Sequence, residues 1–205
     1  MALDLNDLSN LHIDVLREIG NIGAGNAATA LARMLDKRVD MDVPKVRILE
    51  FDEVSEIMGA ETIVVGILLG VSGDINASIM FMLEKKAAHT LVDILMGRQP
   101  NETDEFSEMD LSALKEIGNI LTGSYLSALS MLTNSKLVAS VPDMAIDMAG
   151  AILSVPAIEF GKVGDTVLYI ETEFSEGASK VVGDFFLVPD IDSYETLLRM
   201  LGVNC

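Results

Sequence analysis

Cysteine and histidine, which form disulfides and zinc sites, are nearly absent from this sequence of 205 residues: it has one cysteine and two histidines. Tryptophan is absent altogether. Cys205 is the last residue and has no partner within the chain, so no intramolecular disulfide can form and cysteine usage indicates no compartment. With only His12 and His89 beside it, the chain lacks the ligand clusters of a zinc site. It also contains no Walker loop, nucleophile elbow or dinucleotide-binding fingerprint. We therefore predict that this chain binds no metal and no other cofactor.

Basic residues are scarce as well, since 14 lysines and arginines stand against 32 aspartates and glutamates, giving a net charge of −18. This balance argues against nucleic acid, whose phosphates attract a basic surface, and against docking on an anionic membrane. The longest apolar run, residues 63–71, is far shorter than the roughly 20 residues that span a bilayer. The N-terminus lacks the positive segment of a signal peptide. We predict a cytoplasmic protein without membrane insertion.

What the sequence does contain is an internal repeat. Residues 14–32 (DVLREIGNIGAGNAATALA) recur without a gap as residues 112–130 (SALKEIGNILTGSYLSALS), at a constant offset of 98 positions. Nine residues are identical in the two copies, and Val43-Pro44 returns as Val141-Pro142 at the same offset. A repeat of long period indicates a duplicated structural unit.

Both copies have the spacing of a helix with one polar and one apolar side. At about 100° per residue, one short arc of roughly 60° carries polar residues and glycine, and the opposite arc is apolar. The first stripe consists of Asp14, Glu18, Asn21 and Gly25, and the second stripe consists of Ser112, Glu116, Asn119 and Gly123. The apolar arcs consist of Val15, Leu16, Ile19, Ile22, Ala27, Ala30 and Met34, and of Leu114, Ile117, Ile120, Leu121, Ala128 and Leu132.

Exposed glutamate and asparagine on a single helix are usually solvated surface, and a glycine can equally serve packing inside the protein. Maintenance of the fold explains the repeated leucines and isoleucines, but it does not explain the repeated polar residues. Glycine inside a helix costs about 1 kcal/mol relative to alanine, so Gly25 and Gly123 favour close approach of another backbone. The pattern Gly20-x-x-Gly23-x-Gly25 lies inside the predicted helix, and Leu121 replaces Gly23 in the second copy. We interpret that pattern as helix packing rather than as a phosphate loop.

The motif (Asp or Ser)-x-x-x-Glu-x-x-Asn, with Gly four residues after the Asn, resembles the CheC/CheX/FliY family of bacterial chemotaxis phosphatases. Two copies within about 200 residues resemble the CheC members in particular, and no room remains for the C-terminal flagellar-switch domain of FliY-type members. The resemblance implies a phosphatase that accelerates hydrolysis of the aspartyl phosphate of a response regulator, CheY. Mg²⁺ is expected in that partner and not in this chain.

The resemblance also implies roles for the stripe residues. Asn21 and Asn119 would orient the attacking water, and Glu18 and Glu116 would grip a cation of the partner. The remaining stripe residues would seat the partner, namely Asp14, Ser112, Gly25 and Gly123.

Three alternatives remain open. The family's CheC members bind the receptor deamidase CheD, and residues 143–153 resemble the segment used, with Asp147 among Met144, Ile146 and Met148. For this segment, burial in the protein's own core is as well supported by the sequence as binding of the deamidase. A structural component of the flagellar switch is disfavoured because the switch domain is missing. A binding protein that sequesters the phosphorylated regulator without turnover is the third alternative.

The two halves show the same predicted order of a long helix, a strand, a short helix, a hairpin and a final helix. In the first half we predict helices over residues 10–35, 51–59 and 84–96, and hairpin strands 62–71 and 77–83. Residues 39–50, around Pro44, are predicted to form an edge strand or two short strands. In the second half we predict helices over 110–132, 143–154 and 193–201, a strand before Val141, and hairpin strands 166–174 and 180–188.

These elements predict an α+β fold with a pseudo-two-fold axis, in which the hairpins join into one continuous sheet and both long helices lie on one face. We predict a single domain over residues 1–205. Its first repeat covers about 10–97, a linker about 98–108, and the second repeat about 109–205.

Overall fold

The structure, a computed structural model, describes residues 10–36, 38–98, 105–159, 166–176 and 179–200. The first half contains the helices α1 (Asn10–Leu35), α2 (Phe51–Met58) and α3 (Lys85–Met96), and the strands β1 (Asp40–Glu50), β2 (Ile63–Gly73) and β3 (Ala77–Glu84). The second half contains the helices α4 (Glu108–Thr133), α5 (Ala149–Glu159) and α6 (Ile191–Met200), and the strands β4 (Leu137–Ala139), β5 (Asp143–Met148), β6 (Thr166–Glu176) and β7 (Ser179–Pro189). Most of the predicted linker, residues 99–104, lies outside the described residues.

The strands form one antiparallel sheet in the order β1-β6-β7-β3-β2, and β4 and β5 both pair with the outer side of β2. The two hairpins meet at the centre of the sheet, where β3 pairs with β7. Each outer strand joins the hairpin of the opposite half, because β1 pairs with β6 and β5 pairs with β2. The order therefore reads the same from either edge, as a two-fold axis through the centre requires. The structure confirms the predicted α+β class, the duplicated pseudo-two-fold organisation and the continuous sheet. That residues 1–205 form a single domain stays a prediction.

A proline interrupts the outer strand at equivalent positions in the two halves. In β1 the pairing with β6 shifts around Val43-Pro44. In the second half the same interruption, at Val141-Pro142, separates β4 from β5. Proline has no N–H to donate to a ladder and is confined to edge strands and bulges. Of the two alternatives predicted around Pro44, the single edge strand is confirmed for the first half.

Apolar layers cover both faces of the sheet. In β3, Phe81 packs in the layer beneath α1, α3 and α4. Its neighbours Met80 and Met82 point to the other face, where they pack with residues of α2 and α5. Both long helices thus lie on one face, as predicted, and their outer sides are left for the polar stripes.

The prediction of a helix over residues 143–154 is wrong for its first half. β5 pairs with β2 along its whole length, from Asp143 opposite Leu68 to Met148 opposite Ile63, and α5 begins only at Ala149. The alanine and methionine content favours helix, but the ladder with a strand some 80 residues earlier overrides that local preference. At the repeat offset, β5 corresponds to residues 45–50, the last part of β1.

Candidate functional site

The two stripes lie on the solvent side of α1 and α4. Every member of both stripes is exposed. The first stripe consists of Asp14, Glu18, Asn21 and Gly25, and the second of Ser112, Glu116, Asn119 and Gly123. The structure thus brings the predicted site residues together into two sets of four, one on each helix.

The opposite sides of the two helices anchor the stripes on the sheet. Leu16 and Ile19 are buried in α1, and Leu114 and Ile117 are buried in α4 at the equivalent positions. The buried arcs end at Leu31 and Leu129. Met34 and Leu132, one turn later and at equivalent positions, are each 49% exposed, although the predicted apolar arcs include them.

The glycines of the two helices fall into two groups. A Cβ atom at Gly23 would lie 2.5 Å from Tyr125 Cδ1, and one at Gly118 would lie 2.7 Å from Ile67 Cγ2. These glycines therefore serve packing inside the protein. For Gly23 this confirms the interpretation of the glycine pattern as helix packing. A Cβ atom at Gly25 or Gly123 would meet no heavy atom within 4 Å. Nothing in the described protein explains the absence of a side chain at these two stripe positions.

Charged neighbours distinguish the two stripes. Arg17 donates a hydrogen bond to Asp14 Oδ1 at 2.9 Å. Ser112 replaces Asp14 in the second stripe, and Lys115 occupies the position of Arg17. Among the described residues, Lys115 forms no ion pair or side-chain hydrogen bond. This pair of cations was not among the predicted site residues, although a basic residue recurs at the repeat offset of 98 positions.

The N-terminus of α4 is held by a polar cluster around the buried Asp110, shortly before Ser112. Ser107 accepts a hydrogen bond from the N–H of Asp110, whose carboxylate accepts one from the N–H of Ser107 at 2.9 Å and one from Arg98 at 2.7 Å. Burial by itself raises the pKa of Asp110, but the hydrogen bonds with Ser107 and the ion pair with Arg98 outweigh that effect and hold the pKa below its usual range. This cluster ties the start of α4 to the end of α3.

The two stripes extend in opposite directions along the helix axes from the level of their glycines. A two-fold axis normal to the sheet makes α1 and α4 antiparallel. A Cβ atom at Gly23 would lie 3.1 Å from Tyr125 Cα, so these two positions are level with each other. The stripe glycines therefore also lie level, while the two asparagines are displaced from them in opposite directions. At 1.5 Å per residue, the asparagines are about 12 Å apart along the helix axes.

Asp147 lies apart from both stripes. It is exposed on β5 and pairs with Val64, whose side chain belongs to the layer beneath α2 and α5. Asp147 therefore faces the opposite side of the sheet from the long helices. The prediction that Asp147 lies among Met144, Ile146 and Met148 is wrong, because alternation along a strand directs those three side chains to the other face.

The described part of the chain contains neither a cluster of metal-binding side chains nor a helix that could span a membrane. No three His, Cys, Asp or Glu side chains of that part come together as ligands. No described helix is long and apolar enough to cross a membrane.

Comparison with known proteins identifies the same two regions. The sequence model of the CheC-like family matches residues 11–48 and 109–146, and each range contains one stripe. A protein of Bacillus subtilis (strain 168) named CheY-P phosphatase CheC is 37% identical over 204 residues, which cover 97% of this chain and 98% of that protein. The flagellar motor switch phosphatase FliY of the same organism is 29% identical over 140 residues, 68% of this chain but 36% of that protein.

The fold is also shared with a solved structure. The crystal structure of Thermotoga maritima FliY matches with a TM-score of 0.75 and 27% identity, and the match covers 96% of this chain and 98% of that one.

Proposed function

Because this chain belongs to the CheC-like family, we propose that it is a phosphatase that hydrolyses the aspartyl phosphate of a CheY-type response regulator. The observation that carries the proposal is the duplicated stripe, an exposed Glu-x-x-Asn followed by a glycine with open space around it, on each of two equivalent helices. The name and near-complete coverage of the Bacillus subtilis relative support the same reaction. In this proposal the phosphatase and the response regulator are both cytoplasmic.

The proposed reaction needs little chemistry from this chain. Water attacks the phosphorus, the bond to the aspartyl oxygen breaks, and inorganic phosphate and the regulator's carboxylate are released. The regulator's own Mg²⁺ and lysine neutralise the phosphoryl oxygens, so this chain has only to place the water in line with the breaking bond. Asn21 and Asn119 each offer an amide oxygen and an amide N–H for that purpose. An amide does so without titrating, and a convex helix surface without a pocket is sufficient.

The other stripe residues hold the regulator in this proposal. Glu18 and Glu116 lie one turn before the asparagines, are exposed, and grip a cation of the regulator. Asp14 and Ser112 extend the contact by another turn. Gly25 and Gly123, one turn beyond the asparagines, let the regulator's backbone approach the helix closely.

The two stripes act as separate sites in this proposal. Each carries a full set of residues, and the two asparagines are offset by about 12 Å along the helices, too far for both to contact one attacking water. Groups that act as one unit are strongly non-additive on removal, whereas independent sites contribute separately. Losing one asparagine should therefore remove only that site's share of the rate.

The test is phosphate release from a phosphorylated regulator present in large excess over this chain. We expect Asn21→Ala and Asn119→Ala each to retain part of the activity, with remainders that sum to about the wild-type rate. The double variant should lose about 100-fold or more, equivalent to roughly 2.7 kcal/mol of barrier. Its melting temperature should not fall, because both side chains are exposed and alanine favours helix.

Three results would contradict the proposal. Near-complete loss in both single variants would rule out separate sites. Undiminished release by the double variant would rule out catalysis by these residues. Binding of the phosphorylated regulator without accelerated phosphate release would rule out turnover and favour a non-catalytic sink.

A second candidate function is binding of a CheD-type receptor deamidase. It is favoured by β5, an outer strand on which Ile146 is 40% exposed and Met148 is 45% exposed. An outer strand with apolar side chains is suited to a protein partner. Asp147 would contribute a charge from the opposite face of the same strand. Ile146 and Met148 lie on a strand at the edge of the sheet and not on α1 or α4, so both functions are compatible in one chain.

A further inference from the structure

A positive charge accompanies each stripe. Arg17 and Lys115 directly precede Glu18 and Glu116, and both are exposed. On the helical wheel the cation lies about 40° beyond the asparagine, on the side away from the glutamate. Each asparagine is thus flanked by an acid on one side and a base on the other.

The first cation is already engaged within its own stripe. Arg17 Nη1 lies 2.9 Å from Asp14 Oδ1, one turn earlier on the helix. The pair is largely open to solvent, with 46% and 64% of the two side chains exposed, so it contributes little to stability. It does, however, direct the guanidinium group back along α1 and cancel its charge locally.

The second cation has no such neighbour. Ser112 stands in the position of Asp14, and within the described residues Lys115 has no carboxylate partner. The set of Ser112, Lys115 and Glu116 therefore carries one negative charge fewer than its counterpart on α1. The chain has a net charge of −18, so an exposed lysine with no carboxylate partner in the described structure creates an unusual positive potential beside the asparagine.

We propose that Lys115 binds the anionic phosphoryl region of the regulator at the second stripe, and that Asp14 withholds Arg17 from the same role at the first. This inference rests on the proposed phosphatase function and adds that the two sites differ in affinity for the phosphorylated partner rather than in chemistry. An aspartyl phosphate is a strong anion, and a free ammonium group gains more from it than a guanidinium already paired with a carboxylate. The second site therefore has the lower KM.

Single-site proteins make this testable. Asn21→Ala leaves only the second site, and Asn119→Ala leaves only the first. In the second-site protein, Lys115→Gln should raise KM about five-fold with little change in kcat, and Lys115→Arg should restore it. In the first-site protein, Arg17→Gln should change KM less than two-fold.

Exchange of the neighbouring residue tests the cause. Ser112→Asp in the second-site protein should raise KM as Lys115→Gln does, since it supplies the missing carboxylate. Asp14→Ser in the first-site protein should lower KM, because it frees Arg17. Lys86→Gln is the matched control: Lys86 is exposed on α3, so its loss changes the net charge equally and should leave KM unchanged.

Salt gives a second readout. Exposed charges are screened over about 10 Å at 0.1 M ionic strength, so KM of the second-site protein should rise steeply with added salt and that of its Lys115→Gln variant only weakly. The inference is wrong if Lys115→Gln lowers kcat at constant KM, or if Lys86→Gln has the same effect as Lys115→Gln.

A binding measurement separates this inference from the proposed function. Calorimetric titration with a regulator carrying beryllofluoride, an unreactive mimic of aspartyl phosphate, measures affinity without turnover. Absence of phosphate release with intact, Lys115-dependent binding would contradict the phosphatase proposal and support the role of Lys115. Normal phosphate release with binding that is unaffected by Lys115→Gln would do the reverse.

Discussion

Replacement of the stripe glycines by alanine should stabilise the protein and impair its activity. Gly25 and Gly123 are helical, and an added Cβ would meet no heavy atom within 4 Å. Alanine is favoured over glycine inside a helix by about 1 kcal/mol, part of it through the lower entropy of the unfolded chain. The double variant Gly25→Ala/Gly123→Ala should therefore gain about 1–2 kcal/mol of unfolding free energy. At 2–4 °C per kcal/mol for a chain of this size, the melting temperature should rise by about 2–8 °C.

The same substitution should weaken the complex with the regulator. If the glycines exist to admit the partner's backbone, each methyl group occupies space that the partner needs. Overpacking a fitted contact costs about 1–3 kcal/mol, so KM should rise by at least about five-fold, while kcat changes less. Thermal unfolding and phosphate release on the same preparations measure the two effects.

Gly23→Ala and Gly118→Ala are matched controls on the same two helices. Their Cβ atoms would lie 2.5 Å from Tyr125 and 2.7 Å from Ile67, so both should lower the melting temperature despite the identical gain in helix preference. Destabilisation by the stripe substitutions would refute the open space assigned to those positions. A stabilised double variant with unchanged KM would refute the role of the glycines in partner approach.

Two further predictions concern other parts of the molecule. The pKa of Asp110 is lowered in the folded protein, so its carboxylate contributes stability above the unfolded pKa of about 3.9 that is lost as the pH falls through the lower folded value. Asp110→Asn should cost about 1–3 kcal/mol at pH 7 and should flatten the acid limb of denaturant unfolding below about pH 4; an unchanged acid limb would contradict the assignment. Asp147→Lys should weaken calorimetric binding of a CheD-type deamidase without changing phosphate release, because Asp147 lies on the opposite face of the sheet from the stripes; unchanged affinity would remove Asp147 from that surface.

Much of the fold could be predicted because the repeat and the turn signals are local. The long helices, both hairpins and the interruption at Pro44 follow from spacing and proline chemistry. The exchange of outer strands could not be predicted, since nothing in β1 itself specifies pairing with β6 rather than with β2. The mistaken helix at Asp143 has the same origin, because its composition favours helix while the ladder with β2 decides the outcome.

For the candidate site as well, some features follow from local spacing and others depend on contacts in the folded protein. Angular spacing was sufficient to predict the exposure of the stripe residues. The same spacing places Gly23 about 160° from Gly25, on the apolar side of the helix. It could not identify Tyr125 as the neighbour that leaves no room for a side chain at Gly23. The roles of Glu18, Asn21 and their counterparts stay predictions, and the ion pair between Asp14 and Arg17 emerged only from the side-chain geometry.

The exchange of outer strands also has a consequence for the chain during its synthesis. Lys45 of β1 forms its cross-strand contact with Glu171 of β6, 126 residues later. At the roughly 5–20 residues per second of translation, β1 waits about 6–25 s for its partner strand to leave the ribosome. During that time its backbone is free to pair with any other strand. Charged side chains and a proline are the usual protection for such an edge, and β1 carries Asp40, Asp42, Pro44 and Lys45 along it. The polar character of β1 therefore protects the unfinished nascent chain.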